Sequence, residues 1–255
     1  MTLKILALTV LLTAAGAFAQ TAEPVIEQLE PVSMGMVRDR GIIPYARINE
    51  LLIGLQRHGE GLFRVEFRIA HRDPTKTLLA PKLAVQSAER TLPVPIAADG
   101  LINLPVLPIE EARDADLASN QAKGSLSVNG LIELTTAPEA LDMAGVRRIV
   151  RVANRLRGEL LPWYARWLFP QIDGVRICSA QAQWQLVWRD QEQQGQLVGV
   201  PLTADPAEHE PKTAKGEVGK PCTSLSGQEG WPDAARLIAP ADARLGVHLA
   251  GQGKR

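Results

Sequence analysis

The sequence predicts an α+β fold: antiparallel β-sheet modules, one long amphipathic helix over about 139–168, and a short N-terminal helix over about 44–57. Three observations predict it. Phe63, Val65, Phe67 and Ile69 alternate with Arg64, Glu66 and Arg68, the period-2 pattern of a half-buried antiparallel strand. Beyond residue 139 the period changes, and Val146, Ile149, Val150, Ala153, Leu156 and Leu160 gather on one side of a helix. Finally, 18 prolines and 21 glycines in 255 residues favour many short elements joined by turns.

In chain order, Pro44 opens the short helix, being preorganised for a first helical turn. Tyr45, Ile48, Leu51, Leu52 and Leu55 form its apolar face, and Gly59 and Gly61 end it. After the strand at 63–69, His71-Arg72-Asp73-Pro74 makes a turn, and 83–85 is a weaker strand. Leu92–Ile96 and Leu101–Leu104 flank Asp99-Gly100, the signature of a tight hairpin, and Pro93, Pro95 and Pro105 put these strands at a sheet edge. Gly124–Thr135 reads as a longer strand with a bulge at Gly130. Arg147, Arg148, Arg151 and Arg155 line the polar side of the long helix. Pro162 kinks or restarts that helix; if it resumes, Trp163, Tyr164 and Trp167 continue its apolar face, in the core on the ordinary reading or at an interface on the alternative one. Strands return at 175–178, 184–188, 197–202, 235–239 and 244–249, the second and third as a hairpin. Residues 203–221 lack apolar periodicity and read as an exposed, mobile loop, and 251–255 as a disordered tail.

The N-terminus has the three parts of a secretory signal peptide. Lys4 supplies the positive charge, Ile5–Ala15 the apolar run, and Ala17-Phe18-Ala19 the cleavage pattern, so cleavage is expected after Ala19. The run is too short to span a bilayer, which takes about 20 residues. The expected location is the periplasm or outside the cell, with no transmembrane segment after cleavage. Residues 20–43 then form an N-terminal arm. Residues 44–250 make up the α+β domain, read either as one continuous sheet on the long helix or as two lobes, 44–137 and 138–250. Removing residues 1–19 takes one lysine and no acidic residue, leaving 27 basic against 28 acidic side chains and a charge of −1. That balance argues against nucleic acid as a partner, since such binding needs a basic surface to neutralise phosphates. In an oxidising compartment the two cysteines, Cys178 and Cys222, are expected to pair as a disulfide.

No catalytic motif stands out. His58-Gly59-Glu60 has the H-x-E of zinc deaminases and Pro221-Cys222 the start of their P-C-x-x-C, but position 225 is Leu, so the second thiolate is missing. His58, Glu60, His71 and Asp73 flank one strand, yet nothing in their spacing fixes a metal geometry, and they read as solvent-facing turn and helix-end residues. Lys123-Gly124-Ser125 places a lysine near a serine, an arrangement far more often a turn than a Ser–Lys dyad. No cofactor or metal site is read. The arginines at 147, 148, 151 and 155 are the one candidate face for an anionic partner, against the ordinary reading of an amphipathic helix's wet side.

Pro44-Tyr45-Ala46-Arg47-Ile48, Val94-Pro95-Ile96 with Asp99–Pro105, and Asn120–Leu126 resemble segments of an uncharacterised family of secreted proteobacterial proteins. The resemblance covers roughly residues 40–180, and many such proteins have proline where Ala122 stands. It implies an envelope location and transfers no functional residue. The signal-like N-terminus, the missing motifs and the edge-strand character of the Pro-rich hairpin at 92–105, which could accept another chain by β-addition, instead lead to the expected role of a non-catalytic periplasmic binding or envelope-assembly component, its partner an envelope protein or an anionic envelope component. The alternatives are an envelope hydrolase built on histidine and carboxylates, and a peripheral membrane protein using the arginine face.

Overall fold

Strand β2 (Phe63–His71) buries Phe63, Phe67 and Ile69 and exposes Arg64, Arg68 and Ala70, the alternation read from its sequence. It sits inside a wholly antiparallel seven-stranded sheet, in a computed structural model that describes residues 36–39, 42–73, 75–76, 80–161, 163–164, 166, 170–191, 195–209 and 219–250. The expected signal peptide, most of the expected N-terminal arm and the expected tail at 251–255 lie outside the described residues.

The remaining elements, in chain order, are β1 (Val37–Arg38), α1 (Tyr45–His58), β3 (Leu83–Gln86), β4 (Thr91–Val94), β5 (Leu101–Ile102), α2 (Ile109–Arg113), β6 (Asp116–Ser119), β7 (Leu126–Leu134), α3 (Met143–Leu160), β8 (Ile172–Cys178), β9 (Trp184–Asp190), β10 (Gln196–Leu202), β11 (Asp205–His209), β12 (Pro221–Leu225), β13 (Arg236–Ile238) and β14 (Arg244–Leu249). They build three antiparallel sheets, ordered β11-β12-β8-β14-β7-β2-β5, β1-β6-β3-β4 and β10-β9-β13. The α+β expectation holds. Helix α3 lays Val146, Ile149, Val152, Ala153 and Leu156 into one hydrophobic cluster with Val175 and Ile177 of β8, Trp184 and Leu186 of β9 and Leu237 of β13. It is thus packed between the seven-stranded and three-stranded sheets. A second cluster joins Tyr45 and Ile48 of α1 to β2, β3, β7 and Leu117 of β6. Strands β2 and β7 feed both clusters.

The long helix is shorter than its periodicity suggested. Pro138–Ala140 is a 3-10 turn, and the α-helix starts where Asp142 Oδ1 accepts a hydrogen bond from the Gly145 N–H at 2.7 Å. It stops at Leu160, because Leu161 precedes a proline and is extended (φ −110°, ψ 128°). The Asp99-Gly100 signal marks a turn that closes only a minimal hairpin, in which the Ala97 N–H donates to the Leu101 carbonyl at 2.9 Å. Only Gly100 has positive φ, at 81°, and the Gly100 N–H donates to the Ala97 carbonyl at 2.9 Å. One isolated bridge, Ile96 to Ile102, joins the flanks, while β4 pairs with β3 and β5 with β2. Both nevertheless end their sheets, β4 with Pro93 inside it.

Gly130 is no bulge either: it pairs in unbroken register with Phe67, and a Cβ there would sit 3.2 Å from the Phe67 ring. Segment 203–221 is not loop throughout, since 205–209 form β11 against β12; residues 210–218 lie outside the described residues. Periodicity missed β11 because Asp205, Pro206, Glu208 and His209 leave it no apolar alternation.

One polar anchor ties α1 to the chain beyond β5. The fully buried Tyr45 hydroxyl donates to the Pro105 carbonyl at 2.5 Å. Asn49 both donates to and accepts from the Leu107 backbone, at 2.9 and 2.8 Å. Burial first, then the Glu111 carboxylate, pushes the Tyr45 phenol from 10.0 up to about 12, partly offset by Arg90. The stability lent by the neutral phenol is therefore whole below pH 10 and lost as the pH rises toward 12. In a Tyr164→Phe background, the phenolate absorbance of the folded protein should rise near pH 12, together with loss of the fold. A phenolate forming near pH 10 in a still-folded protein contradicts this burial.

Candidate functional site

The arginine face is largely spent on the protein itself. Arg147 lies flat on the 226–233 segment, donating to the carbonyls of Gly227 (3.0 Å), Glu229 (2.8 Å) and Trp231 (2.8 Å) and pairing with the Asp233 carboxylate. Arg148 and Arg155 converge on Glu60, at 2.8 and 2.6 Å. Arg155 foremost, then Arg148, holds the Glu60 carboxyl below the usual carboxylate range. Glu60 sits in the left-handed turn after α1 (φ 52°), so the glycine-rich helix end aims an acid at α3. Of the four, only Arg151 is exposed with no ion pair among the described residues.

Trp163 and Tyr164 do not enter the core. They stand in the turn beyond α3, 80% and 62% exposed and edge to face with each other. The helix ends before them, so its apolar face cannot continue through them. Trp167 lies outside the described residues.

Cys178 and Cys222 form the expected disulfide, directly opposite each other in β8 and β12 with Cα atoms 4.1 Å apart. His58, Glu60, His71 and Asp73 do not meet at one point. Glu60 is held by the two arginines, the Asp73 carboxylate by Thr75, and His71 Nδ1 accepts from the Asp73 N–H at 3.0 Å. Among the described residues no group of three His, Cys, Asp or Glu has metal-holding geometry. Ser125 is turned into its own bend, with hydroxyl and N–H both donating to the Ala122 carbonyl, at 2.6 and 3.0 Å.

Two features escaped the sequence reading. The first is a partly buried cluster of histidine, carboxylates and arginine on the seven-stranded sheet. His248 (β14) faces Asp173 (β8) through Nδ1 at 2.6 Å and Glu208 (β11) through Nε2 at 3.2 Å. Arg176 (β8) approaches the other Glu208 oxygen at 3.9 Å, and the Glu208 side chain is only 4% exposed. With a carboxylate against each ring nitrogen, the imidazole presents no free nitrogen to a substrate. The cluster therefore reads as a clamp that fastens β11 to the sheet. Positions 173, 208 and 248 carry no local motif, so only the sheet order brings them together.

The second is the outer edge of β10. On the far side of its sheet, the Leu237 N–H donates to the Leu141 carbonyl and the Met143 N–H to the Ala235 carbonyl, at 2.9 and 3.0 Å. The β13 edge is thereby covered. Because backbone groups alternate along a strand, Arg236 and Ile238 face β9, and Trp184, Leu186 and Trp188 of β9 face β10. Their partners Leu202, Val200 and Val198 are satisfied, which turns the backbone groups of Leu197, Gly199 and Pro201 outward. No described strand pairs with them. At seven residues β10 is longer than the other sheet-ending strands β1, β4, β5 and β11, and it carries no charged side chain. Leu197 is 63% exposed. Pro201, whose missing N–H falls on the open side, was the sequence signal for an edge here.

No family model, curated protein or solved structure matches this chain.

Its function must therefore be read from its own surfaces. Among the described residues no helix is long and apolar enough to cross a membrane. A shallow groove of about 270 Å³, lined by Pro138, Glu139, Leu237–Ala241 and Ala243, holds Glu139 as its one ionisable side chain. A hydrolytic centre needs converging nucleophile, base and oxyanion donors, and this lining supplies a single carboxylate, Glu139. The open strand is the surface with the more definite chemistry.

Proposed function

We propose that the chain is an exported, non-catalytic binding or envelope-assembly component that takes an extended polypeptide segment onto the edge of β10. The observation that carries this reading is the row of outward backbone groups at Leu197, Gly199 and Pro201, on an uncharged strand, that no other described strand pairs with. Exposed strand edges of this length are normally blunted by lysine, bulges or covering segments, because they template further pairing. Among the described residues the blunting here consists of Pro201 alone, which removes one donor and leaves three outward carbonyls and two N–H groups. Main-chain bonds give such an edge its affinity, and alternate side-chain positions its selectivity. The disulfide and the signal-like N-terminus support an oxidising, extracytoplasmic setting for that exchange.

A photoreactive residue at Leu197, expressed in intact cells, should form covalent adducts with a polypeptide in the envelope fraction, identifiable by mass spectrometry. The same probe at Leu131, also exposed at 52% but lying on a sheet face, should give none. Equal labelling at both positions, or none at Leu197, removes the proposal.

A further inference from the structure

We infer that the strand fitted by the β10 edge is the β10 of a second copy of this chain, the two running antiparallel about a two-fold axis through Gly199. This rests on the strand-acceptor reading and names its partner.

The argument starts from register. An antiparallel partner must present outward-facing residues opposite outward-facing residues, here 197, 199 and 201. Two copies centred on Gly199 meet this condition: Gly199 faces Gly199 of the partner subunit, and Leu197 faces Pro201 of the partner subunit. A self-complementary edge of this kind closes as a two-fold pair and leaves no open end to propagate. The Gly199 pair exchanges two N–H···O bonds, and each Leu197 N–H reaches the partner subunit's Pro201 carbonyl. Proline therefore costs one bond per copy and spares four.

Side chains agree with the register. Val198 and Val200 fall opposite Val200 and Val198 of the partner subunit in closely spaced pairs, where β-branched residues pack well. Leu197, otherwise 63% exposed, gains the partner subunit's Pro201 as an apolar neighbour on the outer face. No residue of β10 carries charge, so juxtaposing two copies sets no like charges against each other across the axis. Gly199 lets the backbones meet on the axis. A Cβ at Gly199 would touch only Gln185 Oε1 and Val187 Cγ2, at 3.8 and 3.9 Å, so side chains can be introduced there without disturbing the subunit.

The test uses the purified, processed chain. Across the axis, hydrogen-bonded Cα atoms lie about 5.5 Å apart, inside the span a disulfide bridges. Gly199→Cys should therefore oxidise to a covalent dimer, whereas Leu131→Cys should remain monomeric. Sedimentation of the unmodified protein over a dilution series should show a monomer–dimer equilibrium. Pro201→Ala, which restores two bonds per dimer, should tighten it by about tenfold or more. Gly199→Lys, which opposes two ammonium groups, should leave monomers with an unchanged far-ultraviolet spectrum and melt. Failure of Gly199→Cys to link, with the unmodified protein monomeric throughout, overturns self-pairing. If Leu197 still crosslinks a different polypeptide in the envelope, strand acceptance survives that failure; if it crosslinks nothing, both readings fall together. A dimer that persists in Gly199→Lys places the contact elsewhere and also overturns the inference.

Discussion

Reducing the Cys178–Cys222 bond lowers the stability of the folded protein by about 4 kcal/mol, the loop-closure entropy expected for its separation of 44 residues. The two cysteines are opposed in neighbouring strands held by the Thr223–Ile177, Ser224–Arg176 and Leu225–Val175 pairs, so the fold survives without the bond. Its contribution lies mainly in the unfolded chain, where it ties the 179–221 segment into a closed loop. For a chain of this size the loss corresponds to a melting temperature lower by about 10 °C. Thermal melts with and without a thiol reductant read it directly, since reduction alters no side-chain volume. A double Cys178→Ala, Cys222→Ala variant should fall at least as far, because both sulfurs are buried and their removal loosens the packing. A reduced protein melting within about 2 °C of the oxidised one would show that the link closes no costly loop.

His248→Ala is expected to cost about 3 kcal/mol, for a different reason. It strands the Glu208 carboxylate, only 4% exposed, with Arg176 at 3.9 Å as its remaining charged partner. The penalty belongs to the buried charge more than to the lost contact, so Glu208→Gln added to His248→Ala should recover about 1–2 kcal/mol. Urea unfolding of the two single variants and the double variant closes the cycle. Strictly additive losses would mean that His248 and Glu208 do not act on each other, and the clamp on β11 would be withdrawn.

Elements whose burial follows a simple period were legible in the sequence. Strand β2 shows it, with each aromatic buried and each arginine exposed, and so does the helix face of Val146, Ile149, Ala153 and Leu156. Signals of local conformation were read correctly as turns but over-extended into pairings. Asp99-Gly100 does reverse the chain, yet β4 pairs with the preceding strand β3 and β5 with β2, in different sheets, with Val94 and Ile102 buried. Helix length was overestimated for the converse reason: apolar residues continue past Leu160, but the backbone cannot, with a proline two positions on.

The arginine face shows where charge patterning stops. Spacing placed Arg147, Arg148, Arg151 and Arg155 on one side of a helix, but only the fold could bring Glu60 and the 226–233 carbonyls to three of them. Exposure of Trp163 and Tyr164 was hidden similarly, since composition favours burial and only the helix end decides otherwise. The β10 edge lay midway. Its uncharged run and Pro201 were visible, whereas its outward groups follow from the bonds that β13 makes to 141–143, on the opposite side of the sheet.

Amide hydrogen exchange along β10 tests the open edge most directly. In dilute protein, Val198, Val200 and Leu202 should exchange slowly, held by β9, while Leu197 and Gly199 exchange near the rate of an unprotected chain. Both should become protected as concentration rises or a strand partner is added. Slow exchange at all five positions in the dilute, isolated chain would mean that the edge is already covered, and would contradict the account.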